Sequence, residues 1–150
     1  MTQDRPGAAP TAVEVQKLVE GFKARTAFAQ HIHSQLEEVA PGRAVVSIDI
    51  QDIHLNANGT VHGGVYAALI DTAMGIAVGA LVRVRIATTQ MNVHFLGPVR
   101  SGRVVCRGEV VHRTRRTATT EARVHDAAGE LVAVGTGAFR IFEQRGDLII

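Results

Sequence analysis

The stretch "NANGTVHGGVYAALIDTAMGIAVGALV", residues 56–82, runs from a polar, glycine-rich loop into twenty almost uncharged positions. The only carboxylate in that apolar run is Asp71. A carboxylate taken out of water is costly unless it is paired, hydrogen-bonded or put to chemical use. About 20 apolar residues also suffice to span a membrane. Asp71 near the centre of such a span would cost roughly 2.5–3.5 kcal/mol on insertion scales, and the sequence holds no second span. The run therefore reads as a buried core helix beginning at Gly63, and no membrane partner is expected.

Outward from this helix the periodicity changes. Downstream, "IATTQMNVHFLG" alternates, with Ala87, Thr89, Met91, Val93 and Phe95 expected on one face. "GRVVCRGEVVHR", "TATTEARVHD" and "ELVAVGTGAFRIFE" follow as three more strands, the last after a turn at Ala127-Ala128-Gly129. Upstream, "TAVEVQKLVEGFKA" (11–24) has helical spacing with Thr11 as a candidate N-cap. "SQLEEVAPGRAVVSIDIQDIHLN" reads as two strands turned at Pro41-Gly42. Ile53 and Leu55 break the alternation of Val46, Ile48 and Ile50, which predicts a bulge near Gln51-Asp52. The class is α+β: one antiparallel sheet wrapped around one long helix, with a short N-terminal helix.

The totals fit this reading. A chain of 150 residues is long enough for one domain with its own core. Residues 1–10 are expected to form a disordered leader with no secretion signal, and residues 11–150 a single domain. The lone cysteine, Cys106, permits no intrachain disulfide and suggests a reducing, cytoplasmic setting. The net charge of +2 hides an asymmetry: residues 83–150 carry eleven arginines against six acids, densest at "HRTRRT" (112–117). Low aromatic content and the lack of a recognition-helix or RNA-stacking motif speak against nucleic acid. A phosphorylated small ligand and a solvated strand end both remain open for Arg115 and Arg116.

The segment 56–64 carries the first chemical signal. Helix-start N–H groups have no intrahelical acceptor and sit at the positive end of the macrodipole. Gly63 and Gly64 lack a Cβ, so a ligand oxygen can approach those donors, as in an oxyanion hole. Two glycines before a helix also serve a plain tight turn. Gly63, Ala67, Asp71, Gly75 and Gly79 follow at steps of four with no large side chain except the carboxylate. Small residues would satisfy close helix-on-sheet packing, but that does not explain Asp71. Eight residues of helix rise about 12 Å. A carbonyl held at Gly63 therefore cannot also touch Asp71 of the same chain. If both act on one substrate, they come from two subunits.

At these residues the chain resembles the acyl-CoA thioesterases of the hotdog fold. The resemblance rests on Asn56, Gly59, His62-Gly63-Gly64, Leu69 and Asp71, with "TTQMNVHFLGPVRSG" (88–102) behind them. It covers roughly residues 35–142 and is nearest the phenylacetate-pathway (PaaI-like) and acyl-CoA thioesterase 13-like branch. It implies a five- or six-stranded sheet curled around the helix, and homodimers or dimer-of-dimers tetramers with sites between subunits. Position by position, the Gly63 N–H would polarise the thioester carbonyl with help from His62. Asp71 of the partner subunit would be nucleophile or general base, Asn56 would help hold the water, and Thr88 would orient it. Some relatives place a histidine late in the last strand; "GAFRIFEQR" has none.

Thioester hydrolysis needs a polarised carbonyl and an activated water, and no metal or cofactor. The substrate would be an acyl-CoA, whose phosphates make Arg115 and Arg116 the candidate contacts. Two other readings stay open. One is a non-catalytic acyl-CoA sensor, which has no need of Asp71. The other is a hotdog hydratase or dehydratase, whose characteristic motif is missing. His31 and His33 lack a third ligand at metal spacing. His54, His94, His112 and His125 read as structural, as does Cys106.

Overall fold

The computed structural model describes residues 11–142, with backbone alone at 23–25. The leader expected at 1–10 lies outside the described residues. Helix α1 (Ala12–Arg25) opens on a reciprocal cap: the Thr11 hydroxyl accepts from the Glu14 N–H, and the Glu14 carboxylate accepts from the Thr11 N–H. A five-residue helix α2 (Ala27–His31), too short to leave a periodic signal, leads to strands β1 (Gln35–Ala40) and β2 (Arg43–Asp49). They turn at Pro41-Gly42, where Gly42 takes φ +79° and donates its N–H to the Ala77 carbonyl of the long helix at 3.1 Å.

Helix α3 (Gly63–Val82) is the apolar run, and four strands follow it: β3 (Ile86–Phe95), β4 (Arg103–Arg113), β5 (Thr117–His125) and β6 (Leu131–Ile141). Every strand pair is antiparallel, in the order β1-β2-β4-β5-β6-β3, so β1 and β3 are the edges. The sheet wraps α3. Leu69, Ile70, Ala73, Met74, Ala77 and Val78 are fully buried against Val46, Ile48, Val104, Cys106, Val124 and Ala133. Among the described residues α3 is the one helix long and apolar enough to cross a membrane, but here it fills the sheet's concave face. This is a hotdog fold.

Glycines let the helix sit deep. A Cβ on Gly108 of β4 would stand 2.6 Å from the Ala73 carbonyl carbon and 2.8 Å from the Met74 nitrogen. The helix backbone thus rests on a strand with no side chain between them.

Two expectations need correction. The break in parity after Ile50 is not a bulge: β2 ends at Asp49, and Asp52–His54 form a 3-10 turn. Buried His54 holds that turn, accepting from the Gln51 N–H at Nδ1 (2.9 Å) and meeting the Ile32 carbonyl with Nε2 (2.8 Å). The face assigned to β3 also fails at its start. A bulge between Thr88 and Gln90 inserts Thr89 as an extra residue. Ile86 and Thr88 therefore join Met91, Val93 and Phe95 on the helix side, and Ala87 and Thr89 do not. β5 follows its predicted alternation, with Ala118, Thr120, Ala122 and Val124 buried.

Candidate active site

Asn56 builds the loop before α3. Its side-chain oxygen accepts from the Asn58 N–H (2.9 Å), the Thr60 N–H (3.2 Å) and the Thr60 hydroxyl (3.2 Å). Gly59 turns the chain at φ +69°, and the Arg100 guanidinium clasps the Asn58 and Gly59 carbonyls at 3.3 and 3.4 Å. With its oxygen committed to the loop, Asn56 keeps its amide nitrogen as the group without a partner among the described residues.

The loop delivers His62 as the N-cap of α3. Its Nδ1 accepts from the Gly64 N–H at 2.8 Å, so the neutral ring carries its proton on Nε2. A Cβ on Gly64 would stand 2.9 Å from that Nδ1; glycine makes the cap possible. The Gly63 N–H, first of the helix, has no acceptor among the described residues. It is a free donor at the positive end of a twenty-residue helix. Phe95 lies over it, its ring edge 3.1 Å from where a Gly63 Cβ would stand.

Two turns further along, Asp71 is half-buried, not sealed in the core. Its Oδ1 accepts from the Thr88 hydroxyl at 2.8 Å, the contact that the bulge in β3 makes possible. Both residues line a cavity of about 520 Å³ between α1, α3 and the start of β3. Its walls are mainly apolar, among them Leu18, Phe22, Ile76, Ala80 and Phe139, with Thr26, Thr72 and Arg85 also lining it.

The structure thus places the candidate residues in two groups, His62 and Gly63 with the Asn56 loop at the start of α3, and Asp71 with Thr88 at its middle. One helix holds them about 12 Å apart along its axis. Arg115 and Arg116 join neither. They stand in the β4–β5 turn, at the end of the sheet where Thr88 lies but with β5 and β6 intervening before β3. Sequence reasoning missed Arg85, which lines the cavity and lies 4.6 Å over the Phe142 ring, with Arg140 5.5 Å from the same ring. It also missed the part played by α1 in walling the cavity. Only the excess of arginine in residues 83–150 hinted at the first, and nothing in the periodicity hinted at the second.

Of the remaining polar residues, some have structural partners, while the Tyr66 hydroxyl and His125 Nδ1 are buried with none among the described residues. His33 Nδ1 meets Gln51 Oε1 at 2.9 Å. Among the described residues no group of three or more His, Cys, Asp or Glu could hold a metal ion. A second hollow of about 500 Å³ is lined by arginines and glutamates such as Arg43, Arg107, Glu109 and Glu121, with no activated nucleophile. Burial pushes the Cys106 thiol up to about 12, which makes it inert as a nucleophile.

The chain is similar in sequence and fold to known proteins. The Thioesterase superfamily profile matches residues 58–133. A Halobacterium salinarum protein with a provisional esterase name is 40% identical over 98 residues, covering 59% of this chain and 65% of that one. Human acyl-coenzyme A thioesterase 13 is 29% identical over 103 residues, 67% of this chain and 74% of the human one. The solved phenylacetic acid degradation protein PaaI of Thermus thermophilus, in a point-mutant form, is 32% identical. It superimposes with a TM-score of 0.72 over 77% of this chain and 98% of that one. Together with a six-stranded sheet closed around a helix that begins His-Gly-Gly, these matches establish that the chain belongs to the thioesterase superfamily, in its PaaI-like and acyl-CoA thioesterase 13-like branch.

Proposed function

We propose that this protein hydrolyses an acyl-CoA thioester to the free acid and CoA, at a site shared between two subunits. The observation that carries the reading is Asp71: a half-buried carboxylate, hydrogen-bonded by Thr88, on the wall of a mainly apolar cavity. The thioester carbonyl accepts the Gly63 N–H of one subunit, with His62 Nε2–H as a second donor. Charge that develops on the oxygen then meets donors fixed in advance, which is where electrostatic catalysis gains most.

Asp71 of the partner subunit acts on the carbonyl carbon by one of two routes. As a base it takes a proton from a water that adds to the carbon, and the tetrahedral adduct expels the CoA thiolate. As a nucleophile it forms a mixed anhydride with loss of the thiolate, and water then cleaves the anhydride. Asn56 offers its free amide N–H to the water. Arg115 and Arg116 contact the phosphates of the coenzyme. The reaction asks for no metal or cofactor, and the buried single thiol suits a cytoplasmic setting. A sensor reading leaves the oriented carboxylate without a purpose. Relatives named as acyl-CoA thioesterase support hydrolysis over hydration.

The test is a set of acyl-CoA substrates followed by thiol release, with wild type and Asp71→Asn. The variant is expected to keep its melting temperature and to lose at least about 10²-fold in kcat, the scale of a general base. Undiminished turnover would remove Asp71 from the mechanism.

A further inference from the structure

The loop that delivers His62 and Gly63 is a short hairpin. Its outgoing arm starts at His54 and its returning arm ends at His62. The His62 N–H donates to the His54 carbonyl at 2.8 Å, the Asn56 N–H to the Thr60 carbonyl at 2.8 Å, and Leu55 bridges Val61 between them. The returning arm is tied to the fold by the Val61 N–H, which meets the Val99 carbonyl at 2.7 Å. The outgoing arm is tied by the His54 side chain.

Every polar group of buried His54 is engaged. Its N–H donates to the Gln51 carbonyl, and its own carbonyl accepts from His62. In the ring, Nδ1 accepts from the Gln51 N–H at 2.9 Å, so the proton of the neutral imidazole sits on Nε2 and is donated to the Ile32 carbonyl at 2.8 Å. Ile32 is the C-cap of α2, and a helix end leaves such carbonyls without an intrahelical partner. The next residue, His33, takes a left-handed φ of +55°, where glycine is usual after a helix. Its ring meets Gln51 Oε1 at 2.9 Å and stands edge-on to that of His54. Two histidine rings thus fix Gln51, one by its backbone and one by its side chain.

We propose that His54 is a positioning residue for the carbonyl-polarising pair, His62 and Gly63; the inference rests on the hydrolase reading. The two ends of the proposed site are anchored separately. Asp71 is placed by the middle of α3, where Leu69, Ile70, Ala73 and Met74 are locked in the core, and by Thr88. At the start of α3, Val65 and Tyr66 bury the inner side of the first turn, but His62 is exposed and takes its place from the hairpin. The peptide that carries the Gly63 N–H follows His62 directly. A slip of the outgoing arm therefore re-aims both donors and leaves Asp71 and Thr88 where they are. Misplacement by about 1 Å can cost about 10²-fold in rate.

The test compares wild type with His54→Gln and His54→Met, side chains of similar size. The glutamine amide keeps an N–H for Ile32; methionine fills the space and donates nothing. Turnover of acyl-CoA substrates is read beside the affinity of octyl-CoA thioether, which binds and cannot be hydrolysed. His54→Met is expected to lose at least about tenfold in kcat while its thioether dissociation constant stays within about twofold of wild type. His54→Gln is expected to stay within about threefold of wild type in both. A second readout follows the donors themselves. In an Asp71→Asn background the carbon-13 carbonyl stretch of bound octanoyl-CoA is expected to lie below its value in water, because the Gly63 N–H and His62 Nε2–H polarise the bond. Adding His54→Met is expected to return the stretch toward that value, and adding His54→Gln to leave it lowered.

Full kcat in His54→Met would overturn the proposal. So would equal losses in the two variants, a loss confined to thioether affinity, or a carbonyl stretch that ignores the methionine. Should His54→Met fail to fold, His54→Asn, which can accept the Gln51 N–H but falls short of Ile32, carries the same comparison. If neither folds, His54 serves stability alone and the proposal falls. A wild type that turns over no thioester would sink the hydrolase reading, and the stretch of the bound thioester still decides on His54. Hydrolysis with rate and stretch both indifferent to His54 would spare that reading and remove the role.

Discussion

His62 serves two purposes with one ring. By accepting the Gly64 N–H at Nδ1 it supplies the cap that a twenty-residue helix needs, and in the proposed reaction its Nε2–H is the second donor to the thioester carbonyl. Cys106 is the opposite case, a reactive type made silent by its surroundings. Burial pushes its thiol from 9.0 up to about 12, and it is the only thiol in the chain. A thiol reagent at pH 8 is therefore expected to label no residue of the native protein and one per chain after denaturation, so CoA release can be read without background. The folded chain holds this proton more tightly than the unfolded one. The stabilisation is complete below pH 9 and is lost as pH rises toward 12, so melting temperature should fall more steeply in that window for wild type than for Cys106→Ala. Native-state labelling at pH 8 would contradict the burial. At this scale the sequence was most readable in placement: His62 caps the helix, Gly63 begins it and Asp71 lies at its middle, as the quoted stretch has them. Thr88 was readable only as one of two neighbouring threonines, because the choice depends on a bulge set by pairing with β6.

The elements are regular enough to read from periodicity, and they depart from it where long-range partners intervene. The β2 strand stops at Asp49 because His54 is drawn inward to the Ile32 carbonyl, twenty-two residues back in the chain; no local pattern encodes that. The contact between α3 and β4 is equally invisible from either element alone, since it depends on which strand passes beneath Ala73. Its energetic consequence is testable. In Gly108→Ala the new methyl would overlap the helix backbone at 2.6 Å, and relief requires α3 to lift off the sheet. Overpacking of this kind costs about 1–3 kcal/mol, which for a chain of this size is a fall of roughly 3–10 °C in melting temperature. Gly79→Ala is the control: its methyl meets open space and improves helix propensity by up to about 1 kcal/mol, so its melt should equal or exceed wild type. Identical melts for the two variants would mean that the helix does not press on Gly108.

For the whole molecule, one rigid helix carries both groups of the proposed site and cannot fold back on itself. The chain leaves β3 as an edge strand of ten residues, most of them exposed. An uncovered edge of that length is a template for pairing with another chain. A two-fold partner added there would run its helix antiparallel to the first, bringing the start of one α3 toward the middle of the other. Strand order, and with it the exposed edge, was not legible in the sequence, because β3 pairs with β6, the last strand, and not with its neighbour in the chain. Subunit complementation tests the arrangement. Asp71→Asn removes the carboxylate, and Gly63→Pro removes the donor N–H. Proline suits the first helical position, His62 already has the extended backbone a following proline demands, and Phe95, 57% exposed, can swing away from the ring. In an exchanged equimolar mixture about half the dimers pair one chain of each kind, and each of these has one intact site of two, so about a quarter of wild-type activity is expected to return. Each variant alone should stay near background. A mixture that has exchanged subunits, verified by mass, and recovers nothing would put both groups on one chain, and the helix geometry would then forbid their acting on the same thioester.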